Sequence, residues 1–472
     1  MSLDTISSPT TPAAAARIAD FTTVGLITFA IWWTLVARPL GFFAGLGEFL
    51  SPLSVTYIAG CVQVIRHLLW PRPSVISRLR DLHAAILRRP HLAAPLRAFL
   101  MTRPAVFVVG LAAAITIGLS STPGFVLSRD PIDNLPARFD AGWYGGIALE
   151  GYVWDHTFQR QRNIAFFPAL PMLMRPLGAI FGMYDEGPSR ERRTLRGLWA
   201  GVVISLVAFF WALYYVSRFA ADHIGPDRAP AATLLLAAYP FAFFFNAPYT
   251  ESLFLLGAAG AAYHFLRRDW AAASCWGLLA GLSRPNGCFL SLPLALLALE
   301  KGRGIREKGK GLVVAAMPGV GMLLFTIYLY QLTGGVWFAW ARSHEAWGRS
   351  FKGLGPVLSF VEQIRSEPFL QLIVNNPFNA INAVGVIFAL LLAYPVFRKV
   401  GLAWGVFVLA NLLPPLLAGG LISMGRLTST LFPLFIALAA ILPPRAVPGW
   451  AAAFGIGQGF CAALFFSWRA LF

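Results

Sequence analysis

Long unbroken apolar runs recur along the chain, separated by short polar segments. They cover about 21 to 37, 49 to 65, 105 to 121, 164 to 183, 197 to 217, 231 to 246, 250 to 266, 271 to 299, 312 to 332, 377 to 396, 401 to 418, 430 to 442 and 449 to 468. A spanning helix needs ~20 apolar residues, whereas a membrane β-barrel shows ~10-residue alternating segments. The pattern therefore predicts an all-α polytopic membrane protein. It divides the chain into a cytoplasmic tail (1–20), an apolar hairpin with a basic segment (21–103), a transmembrane module (104–332) with an outer loop at 122–163, an extracytoplasmic loop (333–376) and C-terminal transmembrane helices (377–472).

Composition agrees with the pattern. Of 472 residues, 57% are hydrophobic and 12% charged, about half the charge of a soluble domain. At ~20 residues per crossing there is room for roughly thirteen crossings. The 38 Lys and Arg against 21 Asp and Glu give a net charge of +17. In a membrane protein that excess belongs to cytoplasmic loops, so no nucleic-acid partner is expected. Cys61, Cys275, Cys288 and Cys461 lie in apolar stretches without a CxxC pair, which suggests neither a disulfide framework nor a zinc site.

Charge also sets an expected topology. Arg66, Arg72, Arg78, Arg80, Arg88, Arg89, Arg97 and Arg103 against Asp81 alone place that stretch in the cytoplasm, so 105–121 crosses outward to a loop carrying Asp130, Asp133, Asp140, Glu150 and Asp155. Basic segments at Arg190–Arg196, Arg267–Arg268, Lys301–Lys310 and Arg398–Lys399 mark further cytoplasmic sides. On these marks 164–183 crosses inward, 197–217 outward, and 231–266 makes an odd net number of crossings with one re-entrant half. Ser283 to Gly287 break 271–299 into two short helices, which is tolerated at that depth only where the break lines a protein cavity or faces outside. Parity puts the second large loop outside, with Trp337, Trp340, Arg342, His344, Trp347, Arg349 and Lys352.

Several residues stand out chemically. Asp140 precedes the segment Ala141–Tyr152, read as a short amphipathic helix on the outer membrane surface. Two roles fit it: an N-cap for that helix, or a carboxylate serving chemistry at the mouth of the bundle. Glu251 interrupts an apolar segment, as a functional acid or as a hydrogen-bonding partner of the broken helix together with Asn246, Thr250 and Ser252. Positive charge outside runs against the orientation rule, so Arg342, Arg349 and Arg426 fit either anion binding or snorkelling to headgroups. His344 is placed to donate to a phosphate or to carry charge near it. Trp143, Tyr144 and Trp347 fit a wall that stacks on a sugar ring or an interfacial anchor.

Five blocks in order, Phe139-Asp140-Ala-Gly-Trp-Tyr with Ile147-Ala148 and Gly151-Tyr152, Phe166-Phe167-Pro168 with Pro171, Tyr249-Thr250-Glu251-Ser252, Arg284-Pro-Asn286-Gly287, and Arg426 before Phe432-Pro433, closely resemble the PIG-V-like mannosyltransferases, a family that includes GPI mannosyltransferase 2. The resemblance runs from about 130 to 440. It implies a GT-C-type multispanning helical bundle with extracytoplasmic loop helices, a polyprenyl-phosphate-linked sugar as donor, and an Asp in the first outward loop as catalytic base, here Asp140. Phe139 stands where a Trp commonly precedes that Asp.

The expected activity is transfer of a hexose, mannose by resemblance, from that donor to a hydroxyl on a lipid or glycan acceptor with inversion, at the outer face of a bacterial cytoplasmic membrane. Asp140 is the expected base; Arg342, His344, Arg349, Arg426, Glu251, Arg284, Asn286, Trp143 and Tyr144 are the expected donor-phosphate and substrate contacts. Five outward acids also suit Mg²⁺ or Mn²⁺, though no dedicated spacing requires either ion. A transporter or flippase for a lipid-linked sugar is the alternative, and the absence of repeated halves weighs against it.

Overall fold

The computed structural model describes residues 12–32, 52–69, 90–469 and 471. Residues 1–11 of the tail and the arginines from Arg72 to Arg89 lie outside the described residues. The chain forms two compact units, Met1–Ala93 and Ala94–Phe472. In the first, helices Pro12–Trp32 and Pro52–Leu69 pair, with the Arg66 Nε 3.2 Å from Asp20 and Gln63 donating to the Thr23 hydroxyl at 2.7 Å.

The second unit is helical, and no strand occurs among the described residues. Among the described residues six helices are long and apolar enough to cross a membrane: His91–Thr116, Arg190–Ile224, Ile305–Leu332, Pro377–Lys399, Leu402–Gly419 and Pro444–Phe466. Ala229–Ala238 and Pro240–Asn246, bent by 79°, count as a seventh if taken as one span. This is a multi-pass membrane protein. Pro240 explains the bend, since proline lacks the N–H that would continue the helix and its ring clashes with the preceding turn. The carbonyls freed there are closed by side chains: Arg103 donates to the Ala237 and Ala242 oxygens at 2.7 and 2.6 Å, and Gln458 to Ala237 and Tyr239, each at 2.9 Å.

The stretch 271–299 is also broken, into helices Trp270–Ser283 and Ser291–Lys301 around the tight turn Pro285–Leu290. Gly287 permits the break, because a Cβ there would collide with the Ala280 carbonyl. The interruptions at 239–250 and 284–290 both reach the end of the bundle that carries the acidic loop.

Contacts sort the connections between two ends of the unit and correct the expected topology. The 164–183 segment does not cross. Phe166 to Pro168 are non-helical, and the helix Ala169–Ile180 is 12 residues, about 18 Å against a ~30 Å hydrocarbon core. Its two ends stay with the acidic loop: Tyr184 donates to the Ala148 carbonyl at 2.8 Å, and Arg190 Nη2 meets Glu150 Oε2 at 2.8 Å. Arg190–Arg196 therefore lies at the same end as loop 122–163, not opposite it. Helix Arg190–Ile224 then leads to the far end, where Arg267 pairs with Asp222 at 2.8 Å and Arg268 with Glu307 at 2.6 Å. Segment 229–246 returns and Glu251–Leu266 goes back, an even count where an odd one was expected.

Candidate active site

The site is assembled from four separated positions. Asp140 opens helix Ala141–Glu150, Glu251 opens Glu251–Leu266, Arg284 sits in the break after Trp270–Ser283, and Arg426 lies in the short helix Met424–Thr428. Arg426 Nη1 donates to Asp140 Oδ2 at 2.7 Å, while its Nε donates to Glu251 Oε1. Arg284 Nη1 reaches the same Glu251 oxygen at 2.6 Å. Glu251 is fully buried, and the Arg426 side chain is 8% exposed. A lone charge at such a position would cost several kcal/mol, and the alternation of acid and guanidinium offsets that cost.

Asp140 occupies an N-cap position but makes no side-chain capping bond. The first N–H groups of its helix are closed by backbone instead, Ala141 to the Arg138 carbonyl at 3.1 Å and Gly142 to Phe139 at 3.3 Å. The carboxylate turns to Arg426 and keeps 22% of its surface open. Of the two roles the sequence leaves open, the cap is not the one this geometry uses. The helix itself is not a surface helix: Ala141, Tyr144, Gly145, Ile147 and Ala148 are buried, and Gly145 packs on Thr194 and Leu198.

A cavity of about 880 Å³ opens beside Asp140. Asp140, Tyr144, Arg284, Asn286, His344, Arg349 and Arg426 line it, together with Phe166, Trp340, Trp347 and Thr250, which the sequence did not single out as contacts except for Trp347. Glu251 lies behind the arginines rather than in the wall. Trp143 stands one layer back, its ring 5.7 Å from Phe166 and 5.8 Å from Trp347. Asn286 uses its amide on Asn411 at 2.8 Å, tying the break to helix Leu402–Gly419. Arg342 does not line the cavity: it is exposed, with its guanidinium over the Phe158 ring at 4.6 Å. Arg342 and His344 are two apart on one turn, so they cannot face the same way.

Three of the six non-glycine residues in left-handed conformation among the described residues flank this site: Phe139 (φ 47°), Phe338 (φ 51°) and Ser423 (φ 58°). Phe338 and Ser423 each immediately precede a short helix that carries a site residue, Phe139 immediately precedes Asp140 itself, and each conformation costs on the order of 1–3 kcal/mol.

The charges do not cancel. Asp140 and Glu251 are matched by Arg284 and Arg426, whereas Arg349 has no carboxylate partner among the described residues and donates to the Ile422 carbonyl at 3.3 Å. Burial and the neighbouring Arg426 and Arg284 push the Arg349 pKa down to about 10, so it stays charged at neutral pH. One cation is left for an anion entering the cavity.

His344 is neutral. Burial pushes its pKa down to about 4, and its Nδ1 lies 2.7 Å from the Trp340 carbonyl, which can only accept, so the ring proton is on Nδ1. An unfolded histidine titrates near 6.5. The unfolded chain therefore gains a proton between about 6.5 and 4 that the folded chain refuses; this contribution to stability is complete above 6.5 and is lost as pH falls towards 4. His344→Gln is expected to flatten the fall in unfolding temperature across that window in detergent. Parallel curves for the two proteins would contradict a neutral, half-buried ring.

Among the described residues no group of three or more His, Cys, Asp or Glu converges on a place for a divalent cation, and three of the five loop acids are paired with arginines, Asp140 with Arg426, Glu150 with Arg190 and Asp155 with Arg162.

No family model and no curated protein matches the chain. Among solved structures it is similar to the oligosaccharyltransferase of Archaeoglobus fulgidus tethered with an acceptor peptide, at 13% identity over 80% of this chain and 55% of that one, with a TM-score of 0.39. It is also similar to the oligosaccharyltransferase AglB from Archaeoglobus fulgidus in complex with an inhibitory peptide and a dolichol-phosphate, at 12% identity over 81% of this chain and 56% of that one, with a TM-score of 0.37. The chain spans little more than half the length of these structures.

Proposed function

We propose that this protein is an inverting membrane glycosyltransferase of the PIG-V-like mannosyltransferase type, with a GT-C fold and a polyprenyl-phosphate sugar as donor. The observation that carries the reading is a partly open carboxylate, Asp140, fixed by Arg426 at the edge of a cavity that also holds Arg349, which has no carboxylate partner among the described residues. Asp140 Oδ2 is committed to Arg426, and Oδ1 takes no hydrogen bond among the described residues. The acceptor hydroxyl donates its proton to Oδ1 as its oxygen attacks the anomeric carbon. The bond from that carbon to the phosphate oxygen breaks on the opposite side, and polyprenyl phosphate leaves with the electron pair. Arg349, with Arg284 beside it, stabilises the departing phosphate. Trp347 and Phe166 offer ring faces to the sugar. The neutral His344, its proton committed to the Trp340 carbonyl, can only accept at Nε2, so it is suited to a sugar hydroxyl and not to the donation to phosphate that the sequence suggested.

The test is incubation of the purified protein with a panel of polyprenyl-phosphate sugars, reading free polyprenyl phosphate. Release from one donor, mannosyl by resemblance, is expected; no release from any donor with acceptor lipids present would overturn the reading.

The site is proposed to face outward across a bacterial cytoplasmic membrane. The turns at the far end carry Arg228, Arg267, Arg268, Lys301, Arg303, Arg306, Lys308 and Lys310 against Asp222, Asp227, Asp269, Glu300 and Glu307, so cations remain in excess after their acids are counted, as expected of a cytoplasmic side. In a protein whose four cysteines are replaced, cysteines introduced at Arg192 and Ser350 are expected to react with an impermeant thiol reagent added outside, and one at Arg306 is not. Labelling at Arg306 alone would invert the orientation. Labelling at Ser350 without Arg192 would restore the inward crossing at 164–183.

A further inference from the structure

Tyr249 is fully buried in the stretch that links Pro240–Asn246 to Glu251–Leu266. Its hydroxyl donates to the Arg138 carbonyl at 3.0 Å and accepts from the Asp140 N–H at 3.0 Å. The residue between those two groups is Phe139, in the left-handed region that a side chain with a Cβ occupies at a cost. One hydroxyl thus grips the backbone on both sides of a strained residue. The ring of the same tyrosine lies under the Arg426 guanidinium at 4.5 Å. A single side chain therefore registers the backbone of Asp140 and the cation that its carboxylate meets.

A second arrangement is built into the same turn. An Asp before a helix ordinarily bonds the free N–H groups of the first turn. Asp140 has the position for this and does not do it. If Phe139 relaxed from its left-handed conformation, the carboxylate would be free to fall back to the helix terminus and leave Arg426. We propose that Tyr249 is a positioning residue whose hydroxyl holds the Phe139 turn, and so keeps the Asp140 carboxylate in the cavity rather than on its own helix. The proposal rests on the glycosyltransferase reading only for its turnover readout.

The test is Tyr249→Phe in the full-length protein, which retains the ring under Arg426 and removes both hydrogen bonds. Hydrogen exchange at the Asp140 amide is expected to speed at least tenfold, with exchange in Glu251–Leu266 unchanged. Turnover on the polyprenyl-phosphate donor is expected to fall about 10- to 100-fold at unchanged donor KM, the size of effect that a misplacement near 1 Å produces. Phe139→Gly removes the cost of the left-handed turn, so the loss caused by Tyr249→Phe should be smaller with Gly at 139 than with Phe. That comparison also serves if the single variant is poorly folded. Unchanged Asp140 exchange overturns the proposal, whether or not turnover falls. Faster exchange with undiminished turnover overturns the positioning role as well. If the wild-type protein transfers no sugar, the glycosyltransferase reading fails, and the exchange measurement still decides what Tyr249 holds.

Discussion

Asparagine at position 140 is expected to lower turnover by about 10²- to 10⁴-fold, the usual worth of a general base. The amide preserves the shape of the side chain, and its oxygen still accepts from Arg426 Nη1, so the geometry of the pair survives while the capacity to take a proton does not. Glu251 remains to neutralise Arg426. The unfolding temperature in detergent should therefore move little. Turnover is followed by release of polyprenyl phosphate, and a wild-type rate in Asp140→Asn would remove Asp140 from the chemistry.

Glu251→Ala is expected to produce the largest loss of stability. Both Arg284 and Arg426 converge on its Oε1, and the side chain is fully buried. Removing one partner from a buried ion pair costs about 3–5 kcal/mol, because the charge left behind has no water to return to. Here two guanidinium groups lose their shared acid, and Arg426 keeps its bond to Asp140. Thermal unfolding in detergent reads the loss, and Glu251→Gln, which keeps an acceptor oxygen, should recover part of it. Equal stability of the alanine variant and wild type would mean that the two arginines find other partners. Donor affinity should fall along with stability, since Arg284 lines the cavity.

Much of this site was legible because charged residues inside apolar runs are expensive and seldom idle. Glu251, Arg284 and Arg426 are each conspicuous on that ground, and Asp140 opens a short helix in the richest acidic loop. Their mutual pairing was not legible. It links positions 140, 251, 284 and 426 through two helix breaks, and nothing local in the sequence records which ends of those breaks meet. Tyr249 stands beside Glu251 and was visible only as part of a motif, since an aromatic among many aromatics does not advertise a hydroxyl with two backbone partners.

The topology was misread for a physical reason that can be stated. Segment 164–183 has the apolar content of a crossing, but Pro168 and the extended Phe166 separate the short turn Asn163–Ala165 from a helix confined to Ala169–Ile180. Arg190–Arg196 has the arginine count of a cytoplasmic loop, yet Arg190 is paired with Glu150 and Arg196 with Asp185 at 2.9 Å. Counting cations without their acids put the loop at the wrong end. Arg342 and Arg349 were equally plausible phosphate contacts in sequence. One lies over Phe158 and the other enters the cavity, a difference set by the turns around His344.

The central claim is that Asp140 acts as a base and not as a nucleophile. A single carboxylate edge faces the cavity, because Glu251 is sealed behind two arginines. One displacement without a covalent sugar intermediate inverts the anomeric centre, whereas two successive displacements retain it. The decisive measurement is the anomeric configuration of the product formed from a polyprenyl-phosphate sugar of defined configuration. Inversion is expected. Retention would require a glycosyl-enzyme intermediate and would contradict the role assigned to Asp140.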